Sequence, residues 1–364
     1  MSTAPGPRAN HPYFMYDAIQ GQPDAFSRVS DRTEAATEAF VERLASCARL
    51  FLVGIGTSYH AAQIGEYLVG AYGGGLPVRA VHAFDFALYG PALARDDAVL
   101  GISHRGTKRY TAASLARAAE AGCFTMLITG EDGPTGAAHA DVTLHTVPQE
   151  RSSAHTISYI GAVSTLATVA DQLGGRRTGR RPLGSAFLRT DVPEALRTAL
   201  GTEPSVAVEA RARVGRRRIW LAGGGPGAVT AQEAALKIKE TSYLQAEGMS
   251  VEAMLHGPFQ CAEPEDLFVL IAPQGPAQTR VADLAAAVGA IGAGLFVVGD
   301  GSVEPPPGAG VCTVPRVPEP LAALTCVVPL QLFAYHLAMA RGTNPDGFRL
   351  QDARFAQAYA RVTL

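Results

Sequence analysis

The chain has 364 residues, of which 47% are hydrophobic and 18% charged, and its formal net charge is −2. This composition indicates a soluble globular protein with one large core or two domains of ordinary size. A charge so close to neutral provides no basic surface for nucleic acid or an anionic membrane, so a small molecule or a protein is the expected partner. The first residues lack an apolar core and no stretch reaches about 18 uninterrupted apolar residues, so neither export nor a membrane span is expected.

The predicted segments follow from shifts in composition along the chain. In chain order they are a helical segment over 1–47, a first domain over 48–172, a linker over 173–203, a second domain over 204–341 and a C-terminal tail over 342–364. The linker is rich in Gly, Pro and Arg, and its basic residues are interpreted as solvated. A helix from Phe333 to Arg341 is predicted to end the second domain.

The two domains are predicted to be copies of one unit. Three pairs of glycines that follow apolar runs are each 169 residues apart: Gly54 and Gly223, Gly106 and Gly275, Gly130 and Gly299. In each copy, short and continuously apolar runs alternate with Ala-rich helical stretches, which is typical of a parallel sheet covered by helices on both faces. The predicted fold class is therefore α/β, with two tandem doubly wound parallel sheets.

The five cysteines predict the cellular compartment. They are odd in number and widely spaced, without a CxxC pair: Cys47, Cys123, Cys261, Cys312 and Cys326. This pattern favours buried thiols in a reducing compartment over disulfides or a zinc site. A cytoplasmic location is expected.

Two turns of the first copy are suited to bind an anion. Thr57 and Ser58 follow the first predicted strand, and Ser103, Thr107 and Lys108 follow a later one. Ligands of open parallel sheets bind outside the carboxyl ends of the strands, where loops and helix N-termini offer backbone N–H groups. The corresponding turns of the second copy contain no Ser, Thr or Lys, so one phosphate site is predicted, in the first copy.

A dinucleotide-binding fold is the alternative interpretation of the first turn. Gly54 and Gly56 after a strand form half of a GxGxxG fingerprint, and Asp85 could serve as the ribose-binding acid. Tyr59 stands where the third glycine belongs, which disfavours a nucleotide.

Lysine usage points to a second group of candidate residues. The chain contains three lysines, Lys108, Lys237 and Lys239, against 28 arginines. A lysine amine can lose its proton when it is desolvated, whereas a guanidinium cannot. Glu233, Lys237 and Glu240 are spaced i, i+4 and i+7, which places them on one helix face with Lys239 pointing elsewhere. Such a stripe can be an exposed set of ion pairs, but it leads into a loop containing His256, where a reactive imidazole is plausible.

These motifs resemble sugar isomerase (SIS) domain proteins, in particular the isomerase half of glucosamine-6-phosphate synthase and stand-alone relatives that act on aminosugar phosphates. Four segments are similar to the family pattern: His11–Pro23 as its opening helix, Gly56–His60 as its first phosphate turn, Glu233–Tyr243 with His256–Pro258 as its catalytic segment, and Glu150–Tyr159, which contains Ser153 and is closer to the deaminating isomerases. The resemblance covers nearly the whole chain and implies a homodimer.

The resemblance also implies roles for individual residues. Glu240 corresponds to the carboxylate that moves a proton between C1 and C2, and His256 to the acid or base that opens the sugar ring. Glu233 and Lys237 correspond to a supporting pair. Substrate binding is assigned to the residues of the two turns, to Ser153 and to the C-terminal region: Thr57, Ser58, Ser103, His104, Arg105, Thr107, Lys108, Ser153 and Arg361. The side chains of His104 and Arg105 could equally point outward into solvent.

Three departures from the family pattern bear on the reaction. The pattern starts at once, so the glutaminase domain of the synthase is not expected in this chain. The family turn Ser-Gln-Ser-Gly-Glu-Thr is replaced by Ser103-His-Arg-Gly-Thr-Lys108, which adds two cations and removes an acid. Arg361 takes the place of the synthase lysine that forms an imine, and Arg cannot form a Schiff base.

The predicted function is that of an isomerase or deaminating isomerase that acts on a phosphorylated ketose or aminosugar by proton transfer between C1 and C2. Neither a metal nor an organic cofactor is expected, and the predicted partners are the sugar phosphate and a second copy of the chain, without nucleic acid or membrane. The alternative is a non-catalytic sugar-phosphate sensor or regulatory module.

Overall fold

The structure is a computed structural model that describes residues 8–134 and 139–362. The chain divides into two compact units. The first-sheet unit comprises Gln22–Glu150 and Ile157–Glu194. The second-sheet unit comprises Ala195–Leu364, the short segment Arg151–Thr156 and the N-terminal residues up to Gly21.

The described part of the chain contains ten strands and fourteen α-helices. The strands are β1 (Arg49–Gly54), β2 (Val78–His82), β3 (Asp97–Ile102), β4 (Phe124–Thr129), β5 (Val142–His145), β6 (Ile219–Gly223), β7 (Ala246–Ser250), β8 (Leu267–Ala272), β9 (Gly294–Gly299) and β10 (Gly310–Thr313). The helices are α1 (Phe14–Gln20), α2 (Gln22–Thr37), α3 (Val41–Ala45), α4 (Thr57–Tyr72), α5 (Ala83–Tyr89), α6 (Arg109–Glu120), α7 (Ile157–Thr178), α8 (Val192–Leu200), α9 (Glu203–Ala212), α10 (Pro226–Ser242), α11 (Val251–Leu255), α12 (Gln278–Ile291), α13 (Glu319–Arg341) and α14 (Ala353–Tyr359). A π-helical turn covers Phe187–Asp191, and 3-10 turns cover Pro258–Cys261 and Arg349–Gln351.

The two sheets have the same strand order, which confirms the predicted α/β fold class and the internal repeat. The first sheet runs β2-β1-β3-β4-β5, and the second runs β7-β6-β8-β9-β10 when read in the same direction. Every neighbouring pair is parallel. The central strands β3, β4, β8 and β9 are buried along their whole length, as expected for a sheet covered on both faces.

The repeated glycines have a packing reason. A Cβ atom on Gly54 would lie 2.5 Å from the backbone of Ser58, and one on Gly223 would lie 2.6 Å from the backbone of Gly227. In both copies, therefore, the helix that follows the first strand passes too close to the strand end for any side chain. The repeat seen in the sequence reflects this repeated contact.

Helix α13 is longer than the prediction from Phe333 to Arg341, which was wrong about its start. It contains Pro329 in its interior, and the residues from Leu321 to Tyr335 are all buried. Its length and composition would also fit a membrane span, but 94% of its most apolar 18-residue stretch is buried within the protein. Packing on all sides thus compensates for the proline, which removes a helix hydrogen bond.

Two sequence interpretations need correction. Residues at the start of the expected linker belong to α7, and Arg181 is not simply solvated, because its Nε donates to the fully buried Asp171 at 2.7 Å. The thiols are also less uniformly buried than expected: Cys261 is exposed and Cys47 half-buried, while the other three are buried.

Candidate functional site

Helix α10 carries the predicted catalytic stripe. The helix begins at Pro226, after Gly225 with a φ of +50°, a left-handed conformation that favours glycine. The Lys237 ammonium donates to Glu240 Oε2 at 2.6 Å and lies 3.5 Å from Glu233 Oε1. The side chains of Glu233 and Lys237 are completely buried, whereas that of Glu240 remains 20% exposed. The three charged groups therefore form one cluster, and Glu240 is the member that reaches solvent.

Glu240 opens into a groove of about 560 Å³, here called the Glu240 groove. Ten residues of the second-sheet unit line it: Leu236, Lys239, Glu240, Tyr243, Leu244, Gln245, Phe348, Arg349, Phe355 and Tyr359. Lys239 is exposed and stands outside the buried cluster, yet it lines the same groove. A substrate in this groove would meet one carboxylate, cationic side chains and several aromatic rings.

The C-terminal side of the groove has a fixed geometry that the sequence did not predict. Tyr243 ends α10 in the left-handed region at φ 58°, which is uncommon for a residue other than glycine. The Arg349 guanidinium lies 4.4 Å from the centroid of the Phe355 ring and 5.4 Å from that of Tyr243. Burial raises the pKa of Tyr243, and the nearby Arg349 charge opposes that shift. The tail residues thus form one wall of the groove.

His256 lies elsewhere in the same unit. It ends α11, its side chain is 76% exposed, and its Nε2 is 3.1 Å from Glu252 Oε2. Glu252 is also paired with Arg280, and this hydrogen bond is the main reason that the pKa of Glu252 is lowered. Among the described residues, none of the contacts of His256 leads to Glu240, so the two predicted catalytic residues are not brought together within one chain.

The loop after β3, here called the anion turn (residues 103–108), leads directly into α6. The Ser103 hydroxyl is buried and has no hydrogen-bond partner among the described residues. The same is true of the hydroxyl of Thr111 in the first turn of α6. This helix has no side-chain cap. Buried hydroxyls without a partner are costly, and open helix amides attract anions, so this end of α6 is suited to bind one.

His104 points inward, contrary to the suggestion that it is solvated. It is buried, and its Nε2 accepts a hydrogen bond from the Glu150 backbone N–H at 2.9 Å. Its carbonyl accepts from Gly130 N at 2.8 Å and from Gln149 Nε2 at 2.9 Å. An imidazole nitrogen that accepts must be unprotonated, so the ring is the neutral tautomer with its proton on Nδ1. His104 therefore fixes the anion turn in place.

The remaining predicted turn residues lie at the same edge of the first sheet. β1 and β3 are parallel neighbours, so Thr57 and Ser58 at the start of α4 and the anion turn after β3 share the carboxyl ends of adjacent strands. Arg105 and Thr107 are exposed, and Lys108 is half-buried at the N-cap of α6. The structure thus brings the residues of the two predicted turns together.

The last two predicted binding residues belong to the second-sheet unit. The Ser153 backbone N–H donates to the Asp346 carbonyl at 2.9 Å, which ties its segment to the loop before the C-terminal tail. Arg361 is exposed just beyond α14 and does not line the Glu240 groove. A role in binding remains a prediction for both residues. Thr111, Tyr243, Arg349 and Phe355 were missed, because a threonine in an Ala-rich helix and aromatic residues in a tail carry no distinctive sequence signal.

Comparison with known proteins identifies the family. The sequence model of the SIS domain matches residues 43–170 and 214–341, one match for each sheet. The chain therefore belongs to the SIS domain family, as its motifs indicated.

The sequence relatives include isomerizing aminotransferases. The isomerizing glutamine–fructose-6-phosphate aminotransferase of Pyrococcus horikoshii is 30% identical over 341 residues, which are 93% of this chain and 57% of that protein. The chain thus spans just over half the length of such relatives.

Solved structures share the fold at lower sequence identity. The C-terminal domain of glucosamine-fructose-6-phosphate aminotransferase from Francisella tularensis superposes with a TM-score of 0.86 at 20% identity, covering 93% of this chain and 99% of that one. Tagatose-6-phosphate ketose/aldose isomerase from Escherichia coli gives 0.78 at 20% identity, covering 94% and 97%.

Proposed function

We propose that this protein is a sugar-phosphate isomerase, or a deaminating isomerase, that moves a proton between C1 and C2 of a phosphorylated ketose or aminosugar. The observation on which the proposal depends is the Glu240 carboxylate, which is held by a buried ammonium and opens into a groove large enough for a sugar. The family membership and the names of its relatives support the substrate class.

Glu240 is proposed to be the proton shuttle. Aldose–ketose exchange requires one base that can reach two adjacent carbons, which a single carboxylate does by taking the proton from one carbon and returning it to the other. The 2.6 Å bond from Lys237 restricts the carboxylate to one position, and positioning of this kind is a large part of such catalysis. Glu233 in turn helps to hold Lys237 from the buried side.

The anion turn is proposed to hold the phosphorylated end of the substrate. It supplies the Ser103 hydroxyl, the Lys108 ammonium and the amides of the first turn of α6, all of which are donors to a phosphoryl group. Neither a metal ion nor an organic cofactor is required for the proposed proton transfer.

His256 is proposed to open the sugar ring in the active site of a partner subunit. Its exposed imidazole makes no contact with Glu240 in its own chain, so a homodimer with shared sites would account for its position. A sedimentation mass close to that of one chain would contradict this part of the proposal.

A mixing experiment tests the shared site directly. The Glu240→Gln and His256→Ala proteins should each be inactive. In a randomly mixed population, half of the dimers contain both variants, and each of these has one site with both native residues, so about a quarter of wild-type activity should return. No recovery after demonstrated subunit exchange would contradict a site shared between subunits, and an active His256→Ala protein would exclude His256 from the reaction.

The central experiment is solvent deuterium incorporation. Hexose and aminohexose phosphates should be screened for binding and then incubated with the protein in D₂O, with C1 and C2 monitored by NMR. We expect exchange at one of these carbons with the wild type and none with Glu240→Gln. A substrate that binds tightly and exchanges no proton would refute the catalytic proposal.

The second candidate is a sugar-phosphate sensor, favoured by the separation of His256 from Glu240 and by Arg361 in place of an imine-forming lysine. A sensor needs the anion turn but not the buried cluster on α10. Glu240→Gln separates the two functions, because an enzyme would lose turnover and retain binding, whereas a sensor has no turnover to lose.

A further inference from the structure

The end of α6 carries an excess of positive charge. Arg105, Lys108 and Arg109 lie within five residues of one another, and residues 103–111 contain no acidic side chain. Among the described residues, none of these three cations has an ion-pair partner. The Arg109 guanidinium instead lies 5.4 Å from the centroid of the Tyr110 ring. His104 adds no charge, because its Nε2 accepts a hydrogen bond.

This placement is unfavourable without a bound anion. The N-terminus of a helix carries a partial positive charge, so cations at that end destabilise the helix. Lys108 is the N-cap of α6 and Arg109 its first residue, and the helix has no side-chain cap that would compensate. Acidic residues are the usual choice at such positions. The three cations therefore indicate a ligand with several negative charges.

The uncharged groups at this end of α6 are enough to bind one phosphoryl group. The Ser103 and Thr111 hydroxyls are buried without a hydrogen-bond partner among the described residues, and no side chain caps the first helical turn there. Hydroxyls and amides of this kind satisfy the oxygens of one phosphate, as at other helix N-termini. Arg105 and Arg109 are both exposed, so they are placed to bind a second anionic group further from the helix.

We propose that the anion turn binds an anion with two phosphoryl groups, either a diphosphate or two phosphates on one sugar, instead of a single phosphate ester. This deepens the proposed function, on which it rests for the identity of the bound molecule as the substrate. The inner phosphoryl group contacts Ser103, Thr111 and the α6 amides, and the outer one contacts Arg105 and Arg109. Lys108 lies at the helix start between them.

Calorimetric titration of the full chain with inorganic phosphate and with pyrophosphate, at one low ionic strength, tests the proposal. Pyrophosphate should bind about 10-fold or more tightly than phosphate, because charge-assisted bonds to a second phosphoryl group are each worth roughly a factor of ten. The Arg105→Ala/Arg109→Ala variant should lose that advantage, so that its affinities for the two anions lie within about 3-fold of each other. Equal affinity of the wild type for the two anions would overturn the proposal.

Two variants make the result specific. Arg180→Ala removes an exposed arginine of the same unit, which has no ion pair with any residue that the structure describes, and should leave both affinities unchanged. Ser103→Ala should weaken both anions, and if it affects neither, the anions bind elsewhere and the proposal is wrong. Circular dichroism confirms that each variant is folded.

A hexose 1,6-bisphosphate and a nucleoside diphosphate then distinguish the two sources of a second phosphoryl group. The one that binds at least as tightly as pyrophosphate identifies the class, and if neither does, a diphosphorylated substrate is excluded. Deuterium exchange on a monophosphate together with equal binding of phosphate and pyrophosphate would leave the isomerase proposal intact and refute this one.

Discussion

Replacement of Lys237 by methionine should destabilise the second-sheet unit severely. The ammonium is completely buried, 2.6 Å from Glu240 and 3.5 Å from the completely buried Glu233. Methionine has a similar shape but no charge, so the variant leaves a buried carboxylate without its cation. Loss of one member of a buried ion pair typically costs about 3–5 kcal/mol, a large share of the roughly 5–15 kcal/mol that stabilises a domain.

The chain provides both a probe and a control for this measurement. Trp220, its one tryptophan, is buried in β6, so urea unfolding followed by tryptophan fluorescence reports on the second-sheet unit. Lys239→Met changes an exposed lysine on the same helix and should alter the free energy of unfolding by less than about 0.5 kcal/mol. Adding Glu233→Gln to Lys237→Met should restore part of the loss, because the buried charge is then removed. Equal effects of the two lysine variants would refute the argument that buried charge holds the cluster together.

Three further predictions concern the anion turn, a half-buried histidine and the thiols. Lys108→Ala should weaken binding of the sugar phosphate by about 10- to 150-fold, since a charge-assisted contact is worth about 1.5–3 kcal/mol, and unchanged affinity in titrations would show that Lys108 is only a surface residue. The pKa of His336 is lowered mainly by burial, against the hydrogen bond to Glu203. Below a pH of about 6.5 the unfolded chain therefore binds a proton that the folded chain does not, and stability falls. Urea unfolding at pH 7.5 and pH 5.5 should show a smaller loss for His336→Gln than for the wild type, and identical losses would contradict the assignment. Cys261 is exposed and should react first with a thiol reagent, whereas the buried Cys326, whose pKa is raised by burial, should react only on unfolding; equal labelling rates by mass spectrometry would disprove this order.

The fold could be predicted from the sequence because the repeated glycines have a steric cause. Gly54 and Gly223 recur at one spacing, and in both places a helix backbone passes too close for a side chain. Such a contact requires glycine at that position, so the requirement can be seen in the sequence. The stripe on α10 was predictable for a different reason, because helical spacing places Lys237 between Glu233 and Glu240 on one face.

Tertiary contacts were not predictable in the same way. Helix α13 was predicted to begin at Phe333, but it begins at Glu319 and continues through Pro329. Burial of this proline and its neighbours compensates for the helix hydrogen bond that the proline removes. The inward direction of His104 depends on the Glu150 amide, 46 residues away in the chain. Arg349 reaches the Glu240 groove because Tyr243 and Phe355 bracket its guanidinium. No local pattern encodes these three contacts.

The second sheet shows why a duplicated fold has one predicted anion site. At the step of 169 residues, Ser103, Arg105 and Lys108 correspond to Ala272, Gln274 and Ala277, so the hydroxyl and both cations are missing from the second turn.

Two carboxylates of the chain itself lie next to the second turn. The Gln274 backbone N–H donates to Asp300 Oδ2 at 3.2 Å, and a Cβ on Gly275 would lie 2.2 Å from Glu319 Oε1. Arg316 neutralises Asp300 at 3.0 Å. A turn whose backbone amide is already bonded to an internal carboxylate offers little to a phosphate. The first turn has the opposite arrangement, with buried hydroxyls and with three cations that have no ion-pair partner among the described residues. This difference fits a negatively charged ligand at the first sheet and none at the second.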